Sequence, residues 1–127
     1  MVQAVLEGVA FAIRDSVEVA RSLGIEINSS KICGGGAKSP LWKRIFANVL
    51  NTELEVPVSE QGPGMGGAML AMVACGEYPD VKSCCDKLCA VASTVKPEPE
   101  LVAKYEARYQ QFKKIYPAVK ALFPEIQ

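Results

Sequence analysis

One segment constrains the fold more than any other. A run with isoleucines at 25, 27 and 32, Ile25–Cys33, closes on three consecutive glycines, Gly34, Gly35 and Gly36, and Ser39-Pro40 follow almost at once. The run reads as a strand. Ser39 is a residue type that caps helix N-termini, and Pro40 carries the fixed φ that suits a first helical turn. The result is strand, glycine turn, helix. Such a turn aims backbone N–H groups at an anion, and glycine lets a ligand approach the main chain. Three glycines in a row cost conformational entropy that a plain tight turn does not require, so ligand contact is the favoured reading. The turn is not a P-loop, because Lys38-Ser39 would need glycines where Ile32 and Ala37 stand.

The flanking pattern extends this unit. Val2, Val5, Leu6, Val9, Ile13 and Val17 recur at helical spacing, and the helix is expected to run to about Leu23 and stop at Gly24. It has no capping residue before it, which suggests a chain that starts inside an element of a longer protein. After the Ser39-capped helix, ending near Leu50, Leu54–Val58 reads as a second strand weakened by Pro57. A glycine-rich helix follows from Gly62 to about Gly76, and Asp80 caps another to about Cys89. Ala90–Val95 could be a short extended piece. Pro97–Glu100 opens the last helix, which keeps one aromatic face from Tyr105 through Phe123 and is expected to kink at Pro117. Strands separated by a helix should pair in parallel. Two parallel strands are not a stable sheet, so partner strands are expected from elsewhere.

Composition removes several function classes. The chain has 127 residues, 14 basic and 14 acidic, and no histidine. One domain's worth of length and half apolar residues describe a globular chain. Zero net charge argues against nucleic acid and against a polybasic membrane surface. No apolar stretch is long enough to cross a bilayer, and no signal peptide is visible. Without histidine, imidazole acid–base chemistry and Cys/His metal sites are gone. Five cysteines without a secretory signal suggest reduced thiols in a cytoplasm. Cys85 and Cys89 share a helix face, but spacing alone gives no full ligand set, so no metal site is expected.

Other features are weaker signals. Gly62, Gly64 and Gly67 match GxGxxG formally, yet no second strand or acid follows at the spacing a dinucleotide fold needs. Trp42 reads first as core packing, with a place beside a nucleotide as the alternative. Lys43-Arg44 reads as a solvated helix face. Glu7, Asp15 and Glu60 are acids in no motif that marks a catalytic base.

Taken together, Gly34-Gly35-Gly36-Ala37-Lys38-Ser39-Pro40-Leu41-Trp42 resembles the adenosine-binding motif of the FGGY carbohydrate kinases. Leu6–Phe11 is similar to the family's preceding helix, Gly64–Ala71 to its glycine/alanine helix, and Gly76–Val81 to the stretch after it. The closing helix with Tyr105 and Tyr109 also fits. The wording is closest to bacterial xylulose kinases.

The resemblance implies an α/β fold that is part of an RNase H-like, actin-like ATPase domain, with its sheet incomplete in this chain. Residues 1–127 would be the C-terminal portion of the second, nucleotide-side domain, with the catalytic and sugar-binding domain absent. ATP would lie against Gly34, Gly35, Gly36 and Ala37, with Ser39 and Pro40 near the base. Where some relatives carry an adenine-contacting Asn, this chain has Pro40. Gly36→Val is expected to weaken ATP more than sugar in the complete enzyme. No catalytic residue belongs to this chain, and Mg2+ would act only in the complete kinase. The implied reaction is transfer of the ATP γ-phosphate to a sugar, D-xylulose first, with ribulose, gluconate or glycerol as alternatives. The chain alone is expected to be inactive. The competing class is a non-catalytic interaction module whose sheet edges are covered by self-association.

Overall fold

The computed structural model describes residues 1–58 and 62–126. The elements in order are α1 (Val2–Ser22), β1 (Ser29–Lys31), a short 3₁₀ helix (Gly35–Lys38), α2 (Pro40–Leu50), β2 (Glu53–Pro57), α3 (Pro63–Ala74), α4 (Val81–Leu88), β3 (Val91–Val95), α5 (Pro99–Phe112), α6 (Ile115–Val119) and a closing 3₁₀ helix (Lys120–Glu125).

The two expected strands pair in parallel, Ser29 opposite Glu53 and Lys31 opposite Glu55. β1, three residues long, is much shorter than the Ile25–Cys33 run that predicts it. Its first residues leave α1 through Gly24, at φ +82, and are not yet paired. The extended piece near Ala90–Val95 is a third strand, antiparallel to β2, giving the order β1-β2-β3. A bulge at Val56/Pro57 places the proline where the ladder is already irregular. The sheet thus has three described strands, with β1 and β3 at its two edges.

Helix boundaries follow side-chain chemistry. Ser39 Oγ accepts the Trp42 N–H at 3.3 Å, and Asp80 accepts that of Ser83 at 2.7 Å. α2 ends at Asn51, the only non-glycine residue with positive φ among those described, and Arg21 reaches the Leu50 carbonyl at 2.9 Å. The core lies where α1, α2 and α5 meet: Ala10, Phe11, Ile45, Val49, Tyr105 and Tyr109. The aromatic face of the last helix packs only as far as Phe112. The chain breaks at Lys113-Lys114, before Pro117 and not at it, and Tyr116 and Phe123 pair on the surface.

Candidate functional site

The glycine turn lies where strand β1 feeds helix α2. Gly34 has φ +91, a backbone state that favours glycine. Hydrogen bonds from Ala37 N–H to the Gly34 carbonyl (3.0 Å) and from Ser39 N–H to the Gly36 carbonyl (3.1 Å) tighten residues 34–39 into a 3₁₀ turn. The N-terminal amides of such a turn have no partner within it.

The structure keeps the six predicted site residues together but gives them different duties. Gly34, Gly35 and Pro40 are exposed, Gly36 and Ser39 half-buried, and Ala37 buried. A Cβ at Gly35 would meet nothing within 4 Å, so this face of the turn is open for a ligand. At Gly36 the result is opposite. A Cβ there would lie 2.5 Å from two ring carbons of Trp42. Gly36 is small because an indole packs on it, which changes what Gly36→Val would report. Ser39 Oγ is occupied as the α2 cap. Ala37 turns inward, toward Ile32 and Trp42.

Trp42 therefore packs, as read first from sequence, against Phe46 and Gly36. Its Nε1 is buried with no acceptor among the described residues. The Trp42 residue lines a cavity of about 380 Å³ together with Val9, Ile13 and Ile32.

The second glycine segment meets the first. Gly62, at φ +52, starts α3, and its Cβ position is 3.9 Å from the Cys33 sulfur. Cys33, Gly62, Met65 and Gly66 line one cavity of about 290 Å³ immediately beside the turn. Cβ atoms at Gly64, Gly66 and Gly67 would touch nothing, so the glycine face of α3 stays open. Sequence reasoning missed this cavity because its far wall comes from α4, including Cys85 and Cys89.

The acids are structural. Glu7 is buried and accepts from Arg108 (3.0 Å) and Tyr105 Oη (3.2 Å); Asp15 accepts from Tyr109 Oη (2.6 Å). Burial first, and then this carboxylate, push Tyr109 up to about 12. Arg14, buried, pairs with Glu106 and stacks on the Tyr109 ring at 4.1 Å. None of these groups faces the turn. Glu60 lies outside the described residues. Among the described residues no three Cys, Asp or Glu side chains converge as metal ligands, and no helix is long and apolar enough to cross a membrane. Lys43-Arg44 is not merely solvated: Arg44 forks onto Glu98 at 2.6 and 2.7 Å.

A short mixed sheet flanked by helices, with a glycine turn at a strand end, is the architecture of an actin-like ATPase domain as sugar kinases use it. Residues 1–75 match the FGGY family of carbohydrate kinases, C-terminal domain, and the chain belongs to that family. It is 33% identical over 124 residues to the xylulose kinase of Staphylococcus epidermidis, covering 98% of this chain and 25% of that protein. It is 39% identical over 116 residues to the ribulokinase of Halalkalibacterium halodurans, covering 87% of this chain and 21% of the relative. The crystal structure of a "xyloylose kinase" from Brucella ovis superposes with a TM-score of 0.82 at 38% identity, over 95% of this chain and 25% of that one. The chain thus spans about a quarter of the length of the relatives it matches.

Proposed function

We propose that this chain is the nucleotide-side, C-terminal portion of an ATP-dependent sugar kinase. The whole enzyme transfers the ATP γ-phosphate to a sugar hydroxyl, with D-xylulose as first substrate and ribulose, gluconate or glycerol as alternatives. Family membership supports the reaction class. The observation that carries the nucleotide role is the open face of Gly35 in a glycine turn that follows a strand and precedes a helix.

A nucleotide fits there. Gly34 and Gly35 present backbone N–H groups to a phosphate or ribose, and no side chain stands in the way. ATP supplies the phosphoryl group; this chain binds and orients it. Mg2+ fits less well, since residues 33–42 contain no carboxylate and, among the described residues, no three Asp, Glu or Cys side chains converge. No step is derived through the metal from these residues. Glu7 and Asp15 are held by α5. Phosphoryl transfer needs several elements positioned together, and the remaining ones belong to the rest of the kinase.

The test is a coupled ADP-release assay with D-xylulose, ribulose, gluconate and glycerol. The purified chain alone should give no sugar-dependent ADP. The same chain joined to the remaining part of a kinase of this family should give turnover, fastest with D-xylulose. Sugar-dependent turnover by the chain alone would contradict the division of labour. Preference for another sugar would replace D-xylulose with that sugar.

A further inference from the structure

The cavity beside the turn has a sulfur-rich wall that the nucleotide reading does not use. Cys85 and Cys89 stand one turn apart at the end of α4, and Met69 lines the same cavity from α3. The Cys89 sulfur lies 3.9 Å from the Met69 sulfur. Met69 is 5% exposed, so its thioether is held in place by packing. Spacing in the sequence yields two facing thiols and no third ligand. The fold adds the third from a different helix.

From this geometry we propose that Cys85, Cys89 and Met69 form a three-sulfur site for a monovalent soft cation, copper(I). Thiolate and thioether ligands together select Cu(I) among biological metals. At about 2.3 Å from each sulfur, three ligands in a plane stand about 4 Å apart, close to the separation seen between Cys89 and Met69. Zinc is disfavoured, because its usual ligands are thiolate, imidazole and carboxylate and not a thioether. A direct disulfide is disfavoured too. Helical positions four apart hold their Cβ atoms about 5–6 Å apart, whereas a disulfide needs about 3.5–4.5 Å. A bridging ion spans that gap without unwinding the helix.

Cu(I) and two thiols give a bis-thiolate complex and release two protons, with the thioether donating a lone pair. The complex carries one net negative charge. Lys31 lines the same cavity, with its ammonium paired to Glu55 at 2.9 Å. Binding releases thiol protons, so it should tighten as pH rises.

The test is anaerobic competition for Cu(I) between the reduced chain and the chelator bathocuproine disulfonate, with ascorbate present. The parent should hold one Cu(I) per chain and show a thiolate-to-copper charge-transfer band in the ultraviolet. Cys89→Ser should weaken retention by at least about tenfold. Met69→Leu, a volume-conserving change that folds readily, should weaken it severalfold. Cys75→Ser, an exposed thiol outside this cavity, should change nothing. Circular dichroism checks that each variant is folded. Loss of copper from the parent to the chelator overturns the proposal, as does parental affinity in Cys89→Ser. Parental affinity in Met69→Leu overturns the three-sulfur site in favour of a plain dithiol. None of these readouts depends on kinase activity, so they stand or fall apart from the nucleotide reading.

Discussion

Adjacent glycines in the turn answer to different neighbours. Gly36 is dictated from inside by the Trp42 ring, Gly34 by its own positive φ, and Gly35 by neither. Substitutions should separate them. Gly36→Ala should cost about 1–3 kcal/mol by overpacking, read as a lower melting temperature, and trimming Trp42 to Leu should recover part of that loss. Gly35→Ala should leave the melting temperature near the parent's while weakening ATP binding in the complete kinase by about tenfold, or about 1.4 kcal/mol. A Gly35→Ala enzyme with parental ATP affinity and weakened sugar affinity would remove the turn from the nucleotide site. Sequence makes the glycine run conspicuous because glycines are rare in such density. It does not say which glycine faces the ligand, since that depends on an indole six residues on folding back over the turn.

Elements defined by local chemistry are the ones the sequence reveals. α2 begins at Pro40 behind a Ser39 cap, and α4 begins behind Asp80, as local rules predict. β3 is harder to read, because a five-residue strand is defined by its partner β2 rather than by its own pattern. The same holds for the bracket between α2 and the start of α5. Arg44 forks onto Glu98, and Asn48, buried, accepts the Glu98 N–H at 2.6 Å. The Arg44 guanidinium first, with Asn48 also donating, brings the Glu98 carboxyl down to about 2. A folded pKa below the unfolded one adds stability that is full above about pH 4.5 and lost as pH falls toward 2. The melting temperature of the parent should therefore drop over that window. Glu98→Gln should be less stable at pH 6, and its deficit should shrink as pH falls below 4.5. The pair is exposed, so added salt should narrow the difference. A deficit that is constant across pH would mean that the carboxylate's charge is not what stabilises the bracket.

The molecule as a whole presents two unlike sides. The α1–α2–α5 core is filled and tied by Glu7, Arg14 and Asp15 to α5. On the other side, Val2, Val5, Val9 and Ile13 form an exposed apolar stripe along α1, near the open β1 edge and the unpartnered Trp42 Nε1. In the proposed kinase, strands from the rest of the protein would cover this side, with self-association as the alternative cover. The sequence shows the stripe through its period but cannot show that it stays bare, because both filled and bare faces are written with the same apolar residues. The sulfur cluster is hidden for a related reason: Met69 and Cys89 are joined only by the packing of α3 on α4. The claim that unites these observations is that the open turn is the ATP-facing surface. The most direct measurement is an NMR titration of the isotope-labelled chain with ATP and, separately, with D-xylulose. The account predicts weak ATP binding, with the amides of Gly34–Ala37 shifting first, those at the α3 start following, and no response to the sugar. Shifts confined to α5 and α6, or a turn that responds to D-xylulose and not to ATP, would contradict it.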